Sequence, residues 1–286
     1  MGVSSTRMTK EERPLPYVRV APFDIKRIIH DFGGSGLTIT LPPWLIALVV
    51  APIIGSFLGV LIRRLPTGEP VMLDRSRCEG CRRPLGAVEL VPIASYLVLR
   101  GRCRRCGAWI APFHLAVELA ALAVAAVAVA TLPDPATLCC GCVLGWALLA
   151  LAWIDWEAFI LPDVLTLPLV LAGLAATFWL APNTLTNHAA AAALGYLLFR
   201  GVAWAYRRLR GRDGLGEGDA KLMAAAGAWV GVTALSSVLL GGALLTLAVG
   251  LVDGLRRGEG LSATTRLAFG PGLCAALWVV WLLSFR

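Results

Sequence analysis

The sequence predicts an all-α, polytopic membrane protein of about eight transmembrane helices, with a cytoplasmic four-cysteine zinc-binding loop between helices 1 and 2. Three observations carry that expectation. The composition is 58% hydrophobic and only 15% charged, which an ordinary soluble globule does not match. Eight apolar runs approach the roughly 17–25 residues that a helix needs to cross a bilayer. No strand-like alternation of apolar and polar residues competes with the helical reading.

Residues 1–41 read as a polar extension, punctuated by Pro14, Pro16 and Pro22, and not as a secretory signal. Residues 42–62 form the first span, and the polar, arginine-rich stretch 63–112 forms a loop. The runs 113–131, 138–154, 160–181, 186–206, 220–235, 236–252 and 267–285 supply seven more spans within 113–286. Only Thr233, Ser236 and Ser237 mark a break between the two runs inside 220–252.

The net charge is +8, and its placement orients the chain. Ten arginines crowd 63–112, namely Arg63, Arg64, Arg75, Arg77, Arg82, Arg83, Arg100, Arg102, Arg104 and Arg105. Arg207, Arg208, Arg210 and Arg212 precede Asp219, and Arg256, Arg257 and Arg266 precede the last run. The connections 132–137, 181–187 and 233–237 contain no Lys or Arg. This alternation places the cysteine loop, the region near Asp155, 207–219 and 253–266 on the cytoplasmic side. The six basic residues of the N-terminal extension oppose it, and the ten next to helix ends outweigh them. Topology accounts for these arginines, so nucleic acid is not an expected partner.

Cys78 and Cys81 in "CEGC" and Cys103 and Cys106 in "CRRC" are two CxxC pairs, the spacing of a tetrahedral four-thiolate zinc site. A cytoplasmic location keeps such thiols reduced and argues against disulfides. A closed four-thiolate centre is structural, since it leaves no open position for catalysis. Cys139, Cys140, Cys142 and Cys274 read as small apolar residues that pack helices. His30, His114 and His188 form no visible arrangement with a serine or cysteine nucleophile.

Ionisable residues in or at the ends of spans are functional candidates, and they are few here: Glu118, Asp155, Glu157, Asp163, Glu217, Asp219 and Asp253. Topology brings Asp155, in "WIDWEAFILPDVLTLPL", and Asp219, in "GEGDAKLMAAAGAWVG", to one membrane face, although 64 positions separate them. Facing carboxylates can share a proton, one acting as base toward water and the other as acid toward a carbonyl oxygen. Gly214, Gly216 and Gly218 allow close backbone approach beside Asp219. A phosphate loop is excluded, because the stretch lacks the G-K-[ST] ending and follows no strand. Asp163 reads either as a support for Asp155 or as a helix cap, and Lys221 as solvated at the interface. Helix dipoles assign the base to Asp219 at a helix N-terminus and the acid to Asp155 at a C-terminus.

These stretches, with "GSFLGVLIRRLP", "SYLVLRGRCRRC" and "FGPGL" in the same order, resemble the type IV prepilin peptidase family of GxGD membrane aspartyl proteases. The resemblance covers about 52–286 and implies a catalytic dyad of Asp155 and Asp219, supported by Gly216, Gly218 and Asp163. It implies removal of a basic leader from prepilins or secretion pseudopilins. It also implies methylation of the new N-terminal amine from S-adenosylmethionine, with Gly101 and Glu118 as cofactor-side residues. Two departures fall in the methylation half: Gly59 where the family has Asn, and "PFHLAVE" where an RYP-like segment precedes the glutamate. Two rival classes are an ion-coupled transporter, which would hold its carboxylates near the bilayer midplane, and a zinc-stabilised scaffold without catalysis.

Overall fold

The computed structural model describes residues 41–71, 76–78, 80–211, 216–258 and 267–285. The extension up to Thr40, and Arg75, Arg212, Asp213, Gly214 and Arg266, lie outside the described residues. Helix α1 spans Pro43–Arg64, followed by a 3-10 turn at Ala87–Leu90 and a short α2 at Ala94–Val98. The long helices are α3 (Pro112–Thr131), α4 (Pro135–Ala158), α5 (Asp163–Leu180), α6 (Leu185–Arg210) and α7 (Glu217–Arg257), with α8 (Gly270–Leu283) last. Among the described residues there is no strand, only isolated bridges between Arg77 and Pro84 and between Arg102 and Trp109.

Local chemistry sets the helix ends. Pro43, Pro112 and Pro135 occupy first helical positions, where a missing N–H costs nothing. Asp134 caps α4 by accepting from Ala136 N at 3.0 Å and Thr137 N at 3.1 Å. Arg63 and Arg64 end α1, and Arg207, Arg208 and Arg210 end α6, where cations suit the helix dipole.

Among the described residues six helices are long and apolar enough to cross a membrane, and α8 is a shorter apolar helix of 14 residues. Helix α7, at 41 residues, would run for about 60 Å if straight, twice a bilayer core. It is broken at Gly231, whose φ of 73° and ψ of −179° interrupt the helix, so that it forms two limbs. With both limbs counted, the eight expected segments are present. The break falls before Thr233, Ser236 and Ser237, because glycine and not a hydroxyl residue supplies the positive φ.

The backbone groups freed at the break find partners, as burial in apolar surroundings demands. Ala228 O faces His188 Nδ1 at 3.0 Å and accepts from Thr177 Oγ1 at 3.3 Å, while Val232 N donates to Asn187 Oδ1 at 3.1 Å. His188 therefore has a structural place at the break, which its sequence context did not reveal. Indoles knit the bundle in the same way: the buried Trp229 donates Nε1–H to Leu169 O at 2.9 Å and the half-buried Trp146 donates to Ala121 O at 3.0 Å. Cys142 and Cys274 are buried in helix packing as expected. Cys139 is exposed, so the packing reading does not hold for it.

Candidate active site

Asp155 lies in the last turn of α4 and is buried, with 6% of its surface exposed. The helix stops at Phe159, whose left-handed φ of 55° turns the chain while its N–H still bonds Asp155 O at 3.0 Å. The following loop tucks Leu161 inward, and a Cβ at Gly218 would stand only 2.7 Å from the Leu161 Cβ. Gly218 thus allows the start of α7 to close against the loop after Asp155. The N-cap of α7 is Gly216, so Asp219 is the third residue of the helix and not its cap. From there its carboxylate reaches back to the Gly216 N–H, an arrangement that N-terminal acids favour.

The two carboxylates sit close enough to interact through their charges. Gly270 completes the site by donating its N–H to Asp155 Oδ2 at 2.9 Å, and a Cβ at this position would stand 2.6 Å from the same oxygen. Cys274, one turn further along α8, is buried within electrostatic reach of both aspartates. Sequence reasoning quoted "FGPGL" without giving Gly270 a role. The signal available was that a buried carboxylate requires a donor, and α8 begins there.

Asp163 is the first residue of α5, with Pro162 as N-cap and no side-chain cap bond. It takes Lys221 Nζ on both oxygens, at 2.7 and 2.9 Å, which ties the start of α5 to the start of α7. Lys221 is therefore paired, contrary to the solvated reading. Arg63 Nη1 lies 3.7 Å from Glu157 Oε2, so the end of α1 adjoins the end of α4. The dyad and the cysteine loop accordingly belong to the same end of the bundle. Glu217 faces Arg200 at 4.0 Å.

The four sulfurs of Cys78, Cys81, Cys103 and Cys106 all lie within 4.8 Å of one another. No described cysteine forms a disulfide. The two knuckles repeat one geometry: Cys78 N donates to Arg83 O at 2.9 Å, and Cys103 N to Ala108 O at 2.8 Å. After the second cysteine of each, Arg82 (φ 54°) and Gly107 (φ 71°) turn left-handed. A tetrahedral zinc with Zn–S bonds of about 2.3 Å requires S···S edges of about 3.8 Å, and Cys78 Sγ and Cys106 Sγ are 3.8 Å apart. The donor set fits zinc.

A cavity of about 400 Å³ opens between the cysteine loop, α1 and α3. Glu69, Glu89 and Glu118 line it together with Arg63, Arg64 and Tyr96. Glu118 is buried in α3 and accepts from Ile93 N at 2.7 Å. Gly101, with φ of 67°, lies behind the cavity wall, where a Cβ would stand 3.0 Å from the Tyr96 hydroxyl. Gly59 lines the cavity directly, and a Cβ there would meet only ordinary contacts with His114 and Phe113.

Residues 49–132 match the bacterial peptidase A24 N-terminal domain, and residues 142–251 match the type IV leader peptidase family. The prepilin leader peptidase/N-methyltransferase of Aeromonas hydrophila is 38% identical over 268 residues, which cover 84% of this chain and 91% of that protein. The chain belongs to the type IV leader peptidase family. The protein of the same description from Burkholderia pseudomallei (strain 1026b) is 39% identical over 254 residues, 80% of this chain and 82% of its own. That from Dichelobacter nodosus is 34% identical over 260 residues, 80% and 87% respectively. No solved structure matches. Membership makes the chain an enzyme, a peptidase. Asp155 and Asp219 fall in the peptidase match, and the cysteine centre and the cavity lining fall in the N-terminal match.

Proposed function

We propose that the chain is a membrane aspartic endopeptidase that cuts the leader from type IV prepilins or type II secretion pseudopilins at the cytoplasmic face of the inner membrane. The observation that carries it is the convergence of the buried Asp155 and the half-buried Asp219 in one site, held by Gly216, Gly218 and Gly270. Water between the carboxylates attacks the scissile carbonyl. One carboxylate takes a proton from the water while the other gives its proton to the carbonyl oxygen. Each accepts one backbone N–H, from Gly270 or Gly216, so the hydrogen bonding does not distinguish base from acid. We assign the proton to the pair. The arginines at the ends of α1, α6 and α7 support a cytoplasmic orientation. A basic leader suits Glu157 and Glu217 at that face, and the apolar segment behind it suits the bilayer.

The cavity supports the second half, N-methylation of the new N-terminus. Its volume of about 400 Å³ lies in the range of roughly 300–1,000 Å³ typical of small-molecule sites. Its mixture of carboxylates and arginines matches S-adenosylmethionine, which carries a sulfonium, an ammonium and a carboxylate. Glu118 would meet a cationic group, and Gly101 would keep Tyr96 in place. Bound there, the cofactor supplies the methyl group. Zinc in the cysteine centre holds the loop that forms one wall.

The test is leader cleavage of a purified prepilin by wild type, Asp155→Asn and Asp219→Asn in detergent, read by mass spectrometry. Both variants should stay folded and lose activity by about 10²–10⁴-fold. Wild-type product should gain the mass of one methyl group when S-adenosylmethionine is present. Cleavage retained in either variant would remove the dyad assignment. Inactivity of wild type toward several clients would favour the non-catalytic scaffold.

A further inference from the structure

The cysteine centre and the cavity share a wall, to which Cys78, Cys103, Leu85, Glu89 and Leu90 all contribute. Arg83 is anchored on both sides of it. Its carbonyl accepts the Cys78 N–H at 2.9 Å within the first knuckle. Its guanidinium interacts with the Cys103 thiolate of the second knuckle and places Nη2 2.5 Å from Glu89 Oε1. The other carboxylate oxygen of Glu89 accepts Gly86 N at 2.9 Å, so Glu89 pins the start of the 87–90 turn. The Nε of Arg83 is buried and has no hydrogen-bond partner among the described residues. A half-buried cation with a spare donor suits a four-thiolate zinc centre, which carries about two negative charges.

We propose that Arg83 is a positioning residue that makes the cavity depend on the metal. Metal draws the two knuckles together, the knuckles hold Arg83, and Arg83 holds Glu89 and its turn in the shape that admits a cationic nucleoside ligand. Without metal nothing draws the two knuckles together. The Cys103 contact of Arg83 then opens and the wall relaxes. This coupling rests on the methyl-donor reading of the cavity. It assigns the zinc centre a part in ligand binding beyond folding the loop.

The experiment measures S-adenosylmethionine affinity calorimetrically for the full-length protein in detergent, zinc-loaded and after chelation. Chelation should weaken wild-type binding about tenfold or more, and by reciprocity the ligand should raise zinc affinity by the same factor. Zinc-loaded Arg83→Gln should bind as weakly as chelated wild type, with less than about a twofold further loss on chelation. Its cobalt-substituted form should keep the charge-transfer spectrum of a four-thiolate centre. Glu89→Gln, which alters no cysteine contact, should show the same uncoupling with the spectrum intact. Wild-type binding indifferent to metal, or variants that keep wild-type coupling, would overturn the proposal, as would a zinc-loaded wild type that binds no S-adenosylmethionine. Leader cleavage by the same preparations is read separately, so a failed peptidase reading and a failed coupling leave different signatures.

Discussion

Gly270 donates its backbone N–H to Asp155 Oδ2 at 2.9 Å, across 115 positions of sequence. The contact fixes a catalytic candidate on α4 from the first turn of α8, and it requires a residue without a side chain. A Cβ would stand 2.6 Å from the accepting oxygen, closer than real contacts allow. Gly270→Ala should therefore displace Asp155 while leaving the bundle folded, since the three nearest atoms all belong to the Asp155 side chain. A displacement of about 1 Å at a reacting group costs on the order of 10²-fold in rate. Prepilin cleavage should fall by about that factor with the melting temperature nearly unchanged. A wild-type rate would show that Gly270 does not position the dyad.

The ion pair of Asp163 and Lys221 joins the two helices that flank the dyad. Its carboxylate is 57% exposed, so its contribution to stability should be small, roughly 0–1 kcal/mol. Its effect should appear in geometry instead. Lys221→Met and Asp163→Asn should each lower kcat by about fivefold to fiftyfold, well short of a dyad substitution, with KM little changed. The exchanged pair Asp163→Lys with Lys221→Asp should recover part of the loss. Equal rates in the single variants and wild type would reduce the pair to an interfacial contact.

Much of this architecture was legible in the sequence, because membrane spans, paired CxxC knuckles and intramembrane acids each follow from a strong local constraint. Asp155 and Asp219 could be brought together from topology alone, since both fall at ends of spans on the arginine-rich side. Gly270 was not legible as a site residue. Its function is a main-chain donor, and a backbone N–H leaves no mark in residue type. The break in α7 was placed a few residues late for a related reason: hydroxyl residues tolerate a helix, and only Gly231 reaches the positive φ. Lys221 lacked a visible partner because Asp163 is 58 positions away, on another helix.

Gly55 and Gly59 lie one turn apart in α1, and the structure separates their roles. A Cβ at Gly55 would stand 2.7 Å from the Glu118 Cα, where backbone cannot yield. At Gly59 the nearest atom would be 3.6 Å away, an ordinary contact. Gly55→Ala should thus destabilise the protein by about 1–3 kcal/mol through overpacking of α1 on α3. Gly59→Ala should be neutral or stabilising by up to about 1 kcal/mol, as expected for glycine in a helix interior. Thermal unfolding in one detergent compares them directly. Similar melting temperatures for the two variants would contradict the packing argument.

The cysteine centre carries a pH signature of its own. The Cys106 and Arg105 backbone N–H groups draw the Cys103 thiol down to about 6. Cys106, although bonded by the Ala108 N–H, is pushed up to about 11 by burial and the neighbouring sulfurs. Four sulfurs without a cation cannot all ionise, so metal uptake must displace protons. Above pH 6 Cys103 is already a thiolate and adds no proton to that count. Below it, Cys103 binds a proton that zinc has to expel. Apparent zinc affinity should therefore fall with decreasing pH throughout, and fall more steeply once pH drops below about 6, by roughly one further decade per unit. Competition with a chromophoric chelator between about pH 5 and pH 8 reads the slope. Cys103→Ser should weaken zinc binding and remove the bend, because the titrating thiol is gone. A slope that stays constant through pH 6 in wild type would show that Cys103 is not preformed as a thiolate, and that the second knuckle takes shape only around the metal.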